Sequence, residues 1–272
     1  MPELPEVENV ARSLRHHLTG RRLTGLAAPW PGVLDQSLRA TRRALVGRTL
    51  AGVHRRGKYM ILTFVGASPA DRAHLMIHLR MTGQVFVMDG YVPDQHVHVS
   101  FDFEGLPVHY RDVRKFGRLT LVEDPLAPAA LAHVGPDMLT VRWPEWRRRL
   151  GRRTAPIKAA LLDQGVASGL GNIYVDECLF LAGVRPTTSV ADLDDETLRE
   201  VLRRAKQVLR LAVRHGGTTF LNFTDFHGKP GNFRRKLRVY GRAGQPCRGC
   251  GGALAKATVA GRTSVYCPAC QR

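Results

Sequence analysis

Four cysteines fall within the last 26 residues. Cys247-Arg-Gly-Cys250 and Cys267-Pro-Ala-Cys270 are two C-x-x-C pairs with residues 251–266 between them. Four thiolates can close a tetrahedral shell around one zinc ion and leave no open position, as a structural site requires. The segments 253–259 and 263–266 are β-prone and flank Gly261-Arg262, so the metal would brace a hairpin too small to fold on its own core. Redox chemistry fits less well, because a redox C-x-x-C normally stands singly before a helix. The fifth cysteine, Cys178, lies on an apolar helical face and reads as packing. Arg262 sits at the tip of the hairpin. There it could enter a nucleic-acid groove or be an ordinary exposed turn residue.

A second kind of chemistry is available at the start, MPELPEVENV. Removal of Met1 leaves Pro2 as a terminal secondary amine, uncharged in part near neutral pH. Such an amine can attack an aldehyde-level carbon and form an iminium. Glu3 and Glu6 follow closely, and a carboxylate beside the amine can move protons. Proline at position two is common, so this start means little without context. Lys58, in Arg55-Arg56-Gly57-Lys58-Tyr59, could be a catalytic amine, a phosphate contact or a solvated strand-end lysine. In Asp112-Val-Arg-Lys-Phe-Gly117, Arg114 and Phe116 share one face of an extended segment. With Met81, which follows His78-Leu-Arg80, they offer a guanidinium, a ring and a thioether. Those groups could fill the gap left by an extruded base, although Met81 and Phe116 could each simply pack in a core. Gly169-Leu-Gly171-Asn172 opens a helix after a tight turn, where backbone N–H groups make a phosphate seat. No strand precedes it, which excludes a dinucleotide fingerprint.

These groups need a scaffold and a partner. Lys and Arg number 41 against 23 acids, for a net charge of +18. Such a surplus attracts phosphate polyanions. Much of it is clustered: Arg142, Arg147, Arg148, Arg149, Arg152, Arg153 and Lys158 in one stretch, and Arg234, Arg235, Lys236, Arg238 and Arg242 in another. Two such clusters suggest the two walls of a groove. No apolar run is long enough for a transmembrane helix. The acidic, proline-bearing start does not fit a signal peptide. The cysteine pattern suits a reducing cytoplasm, so a cytoplasmic protein is expected.

The length permits one large domain or two medium ones. Val7, Val10, Ala11, Leu14 and Leu18 follow helical spacing. From about residue 45 to 121 the pattern turns to short strands, with 59–65, 85–88, 97–103 and 118–122 the clearest, which argues a β-sandwich or barrel. Helical patterns dominate from about 144 to 215: one helix over 156–164, another over 172–181, and a long stripe from Leu198 to Val213 with Asp194 or Asp195 as N-cap. The stretch 218–233 reads as a long loop, and loops of that length are usually functional or mobile.

Taken together, MPELPEVE, RRGKY, HLRMTG, DVRKFG, GLGNIYVDE and the zinc hairpin closely resemble, in order, the formamidopyrimidine-DNA glycosylase family. The resemblance spans nearly the whole chain. It implies an α+β protein: an N-terminal β-sandwich domain with a leading helix (1–130), a helical domain with a helix–two-turn–helix (131–233, including a lesion-covering loop at 218–233), and a zinc-finger hairpin (234–272). It implies base excision repair by a monomer acting on double-stranded DNA with oxidised purines or abasic sites, as glycosylase and lyase. Pro2 would be the Schiff-base nucleophile, Glu3 the proton donor, Lys58 an aid to β-elimination and Arg262 an aid to δ-elimination. His96, Arg114, Arg153, Lys158 and Asn172 would contact DNA, with Met81, Arg114 and Phe116 entering the duplex. Cys247, Cys250, Cys267 and Cys270 would hold one structural zinc. One departure is Val97, between His96 and His98, where the family commonly has an acid. The sister family, endonuclease VIII, shares the Pro-Glu start and zinc hairpin, but commonly has Gly in place of Leu4. A non-catalytic zinc-finger DNA-binding protein and a basic zinc-containing ribosome-associated protein would also carry this charge.

Overall fold

The computed structural model describes residues 1–87, 91–125, 129–218 and 231–272. The chain forms two compact units, Met1–Ala132 with His215–Asn232, and His133–Arg214 with Phe233–Arg272. Among the described residues, no helix is long and apolar enough to cross a membrane.

The first unit begins with α1 (Leu4–Leu18), followed by β1 (Leu23–Ala27), α2 (Leu38–Leu45), β2 (Thr49–Arg56), β3 (Tyr59–Val65), β4 (Arg72–His78), β5 (Gly83–Phe86), β6 (Val97–Phe103), β7 (Leu106–Asp112) and β8 (Arg118–Val122). The strands make two four-stranded antiparallel sheets, ordered β1-β6-β7-β5 and β2-β3-β4-β8. They form a β-sandwich. Phe64 of β3 and Phe103 of β6 stack with centroids 6.3 Å apart. Val7, Val10, Ala11, Leu14 and Leu18 of α1 join the same buried cluster. Truncating a buried Phe such as Phe64 to Ala would cost about 3–5 kcal/mol. Gly57, at φ +57°, turns the chain between β2 and β3, where Arg56 pairs with Tyr59. That tight turn sets Lys58 directly before β3.

The second unit holds α3 (Trp143–Leu150), α4 (Ile157–Leu162), α5 (Asn172–Ala182), α6 (Asp195–Arg214), β9 (Ala255–Val259) and β10 (Arg262–Tyr266). The expected cap forms at α6, where the Thr197 N–H donates to Asp194 Oδ1 at 2.7 Å. Gly183, at φ +71°, ends α5 in the left-handed conformation that favours glycine. β9 and β10 pair around Ala260-Gly261, both at positive φ, a geometry that matches strand twist. Arg262 is thus the first residue of β10, one step past the tip. The hairpin's core is small: Phe180, Val239, Leu254 and Val265 pack around Cys247 and Cys267.

One expected strand needs adjustment. The strand expected at 85–88 begins earlier, at Gly83, and Met88 lies outside the described residues. β1 and α2 are short, five and eight residues, and lie outside the segments that sequence singles out. Most of the 218–233 loop, residues 219–230, lies outside the described residues. By their contacts, its described ends at Thr218, Gly231 and Asn232 group with the first unit. The reason is local: Thr218 bridges Asn232, and its N–H donates to Glu6 of α1.

Candidate active site and nucleic-acid surface

Pro2 and Glu3 are buried at the N-terminus of α1, and Met1 is exposed. Glu3 and Glu6 form a capping box. The Glu3 N–H donates to Glu6 Oε2 at 2.8 Å, and the Glu3 carboxylate accepts the Glu6 N–H. The other oxygen of Glu6 accepts the Thr218 N–H at 2.7 Å. Of the two carboxylates that sequence left open as proton movers, Glu6 is therefore engaged through both oxygens in ordering the backbone. Gly217, at φ +80°, makes this approach possible, because a Cβ there would lie 2.7 Å from Glu6 Oε1. Glu8 ties α1 to the strand that leads to Lys58, accepting from Arg55 Nε at 2.6 Å and Arg12 Nε at 2.8 Å. Burial would raise the Glu8 carboxyl, but the two guanidiniums outweigh it and hold the group below its ordinary value. Lys58 is 9% exposed. Neighbouring His78 stacks on Tyr59 at 4.2 Å, and burial, helped by the charges of Arg80 and Lys58, pushes its ring down to about 3. His78 is a neutral imidazole at any working pH.

Met81, Arg114 and Phe116 are brought together and face solvent. Arg114 Nη1 lies 3.0 Å from Met81 Sδ, and its guanidinium stands 4.6 Å from the centre of the Phe116 ring. Met81 is 42% exposed and Phe116 48%, so the core-packing alternative fails for both. His96 is half-buried, its N–H held by Asp94 Oδ1 at 2.9 Å. His98, beyond Val97, is buried and donates from Nε2 to the Asp112 carbonyl at 2.7 Å. Trp30, unremarked in sequence, is 46% exposed with Lys115 Nζ 3.9 Å above its ring.

In the second unit, Asn172 opens α5 and donates from Nδ2 to the Thr263 carbonyl at 3.0 Å. That bond anchors the strand that begins with exposed Arg262. Arg153 meets Asp163 at 3.4 Å, a partly exposed pair weak enough to yield to phosphate. Lys158 requires a correction. Its side chain is fully buried, with Nζ 2.7 Å from Asp176 Oδ1 and donating to the Thr263 carbonyl at 3.1 Å. It is an internal ion pair, unavailable to phosphate. Sequence clustering misled here because the short helix α4 turns Lys158 inward beside Ile157 and Leu161. Cys178 is fully buried, as expected, and burial raises its thiol.

The sulfurs of Cys247, Cys250, Cys267 and Cys270 lie within 4.8 Å of one another, with Cys250–Cys267 at 3.5 Å and Cys247–Cys270 at 4.0 Å. A tetrahedron of Zn–S bonds near 2.3 Å has edges of roughly 3.8 Å, so the four donors fit one zinc ion. The cluster is braced from behind: the Cys267 N–H donates to Gln271 Oε1 at 2.8 Å, and Gln271 Nε2 to the Val184 carbonyl at 2.7 Å.

Three family models match in chain order: the formamidopyrimidine-DNA glycosylase N-terminal domain over residues 1–119, its H2TH domain over 134–224, and the zinc finger found in FPG and IleRS over 244–272. The protein is thus, by class, a zinc-finger DNA glycosylase of base excision repair. The formamidopyrimidine-DNA glycosylase of Desulfitobacterium hafniense is 39% identical over 277 residues, covering 100% of both chains. A structure of Lactococcus lactis Fpg with abasic-site DNA matches with a TM-score of 0.90 at 33% identity, covering 100% of each chain. A variant of that protein bound to Fapy-dG DNA matches at 0.91, with the same identity and coverage. The chain belongs to the formamidopyrimidine-DNA glycosylase family.

Proposed function

We propose that this enzyme excises oxidised purines, 8-oxoguanine and formamidopyrimidines, from duplex DNA and then cuts the strand through an iminium on Pro2. The observation that carries the reading is the start of α1, where a proline one residue from the terminus is buried beside a buried carboxylate, Glu3. Once Met1 is removed, Pro2 is a secondary amine beside a carboxylate that can take its proton, which sets it up as a nucleophile. Its lone pair attacks C1′, and Glu3 supplies the proton that lets the sugar ring open and the base leave. The C1′ iminium then withdraws electrons from the C2′–H bond. Loss of that proton expels the 3′ phosphate, and a second elimination expels the 5′ phosphate. Lys58 assists the first elimination and Arg262 the second. His96, Arg153 and Asn172 contact the DNA, and Met81, Arg114 and Phe116 occupy the gap left by the flipped nucleotide. That insertion offsets an unstacking cost of a few kcal/mol. The sandwich domain carries the chemistry, the helical domain and zinc hairpin carry DNA binding, and the enzyme works as a cytoplasmic monomer.

Borohydride trapping tests the core of this reading. Pro2→Gly should strongly reduce covalent trapping on lesion DNA while leaving DNA affinity largely intact. Undiminished trapping rules out Pro2 as the nucleophile. Paired duplexes with 8-oxoguanine opposite C and with thymine glycol test the substrate, and preferential release of thymine glycol would overturn the purine assignment.

A further inference from the structure

We propose that Asp112 is the positioning residue of the duplex-entering surface, one buried carboxylate that fixes the segments carrying Arg114, Phe116 and Met81. This rests on the reading that those three side chains enter the duplex. Asp112 is fully buried at the end of β7. Its Oδ1 accepts from Thr82 Oγ1 at 2.5 Å and from the Arg114 N–H at 3.1 Å. Its Oδ2 accepts from the Gly117 N–H at 2.8 Å and Tyr110 Oη at 3.2 Å. A carboxylate offers about four acceptor sites, and all four are used. A simple Asx turn needs only one of them, on a neighbouring N–H.

The four donors are distributed in a telling way. Two are main-chain N–H groups on either side of Lys115, which has φ +58°. That left-handed conformation is strained for a lysine and persists only where the surroundings enforce it. Asp112 holds both shoulders of the turn and so fixes the directions of Arg114 and Phe116. The Thr82 hydroxyl belongs to the residue after Met81, so the same carboxylate fixes the thioether's backbone. The main chain of Asp112 completes the node: its N–H donates to the His96 carbonyl at 2.9 Å, and its carbonyl accepts from His98 Nε2. Gly117 must remain a glycine, because a Cβ there would lie 1.7 Å from Tyr110 Oη.

Asp112→Asn keeps the shape but not the acceptors. Hydroxyls of Thr82 and Tyr110 can rotate to accept from an amide, whereas main-chain N–H groups cannot. With the amide nitrogen in place of Oδ2, Gly117 loses its acceptor; with it in place of Oδ1, Arg114 keeps only its longer bond to Thr82 Oγ1, at 3.2 Å. The experiment compares excision from a lesion duplex with cleavage at a preformed abasic site in a single strand, which needs the Pro2 chemistry but has no paired stack to enter. Asp112→Asn should lower the duplex-to-single-strand rate ratio about 100-fold, the scale of an ångström-sized misplacement. Thr82→Val should lower it by a smaller factor. Arg114→Ala reports on the underlying reading: if it leaves the ratio unchanged, duplex entry by this trio is wrong. If Arg114→Ala lowers the ratio and folded Asp112→Asn stays within about twofold of wild type, the positioning role alone is overturned. Should Asp112→Asn fail to fold by circular dichroism, an unchanged ratio in Thr82→Val overturns it instead.

Discussion

Lys158→Met should destabilise the helical unit by an amount that depends on pH in a defined direction. The substitution keeps the stem and deletes an ammonium bound to Asp176 Oδ1 at 2.7 Å and to the Thr263 carbonyl at 3.1 Å. Among the described residues, Asp176 then keeps the Val265 N–H alone, at 3.0 Å on Oδ2. Removing one partner of a buried pair costs about 3–5 kcal/mol. Protonation of the orphaned carboxyl limits the loss. Neutralising a group of ordinary value 3.8 at pH 7 costs about 4 kcal/mol, at 1.4 kcal/mol per unit. Burial already pushes Asp176 up to about 6 against the pull of Lys158, so without the ammonium it rises further. The folded variant then holds a proton that the unfolded chain releases above about pH 4. Its stability falls as pH rises, by about 1.4 kcal/mol per unit, until the folded carboxyl ionises. The wild-type group has largely completed that fall by pH 7, so the deficit of the variant widens between pH 6 and 8. Thermal melts of the zinc-loaded proteins should show a drop of roughly 10 °C at pH 7, at 2–4 °C per kcal/mol. The double variant Lys158→Met/Asp176→Asn, which keeps an acceptor for Val265 and carries no charge, should recover part of the loss and flatten the pH response. A melting point within about 2 °C of wild type, or a deficit that narrows as pH rises, would refute the argument.

Gly217→Ala should impair both folding of the sandwich unit and excision, since a left-handed alanine costs roughly 1–2 kcal/mol before the contact with Glu6 is counted. Unchanged melting and rate would show that the Glu6–Thr218 tie is dispensable. Glu8 has a folded pKa below its ordinary 4.5, so its contribution is present above that value and is lost as pH falls below it. Glu8→Gln should therefore lower stability at neutral pH and remove part of the acid-induced loss, as measured by urea titrations at pH 3, 4 and 7. Cys250→Ser should release zinc and abolish tight DNA binding, because the hairpin loses its brace. Zinc content and DNA titration check it, and normal affinity without metal would contradict it.

What sequence made legible was local. The C-x-x-C pairs meet, the stripe from Leu198 to Val213 is the buried face of α6, and the spacing from Val7 to Leu18 is the buried face of α1. What it hid depends on partners far along the chain. By type and spacing Glu6 is as able to move protons as Glu3, and only the fold brings Thr218 onto its second oxygen. Lys158 looked like one more cation in a basic run. The available signal was Asp176-Glu177 within the apolar helix α5, since carboxylates at such positions require buried partners. Asp112 was visible only as the start of a motif, because its donors come from positions 82, 110, 114 and 117.

The buried acids share a logic that bears on DNA binding. Glu3, Glu6, Asp112, Asp176 and Glu177 are all buried, and each carboxylate accepts at least one main-chain N–H. Glu177 alone accepts from Arg238, Val239 and Tyr240, fixing the segment that leads to the zinc hairpin. A chain with 23 acids against 41 bases thus uses several of its negative charges inside, as backbone anchors. The segments they anchor are those bearing Pro2, Arg114 and Arg262. Apart from Glu3, which the proposed chemistry sets against the damaged sugar, burial keeps these charges off the exposed surface, where they would repel phosphate, and sets them where main-chain donors balance them. The net charge of +18 therefore understates how positive the exposed surface is, and placing a carboxylate on that surface should weaken DNA binding more than losing a buried one.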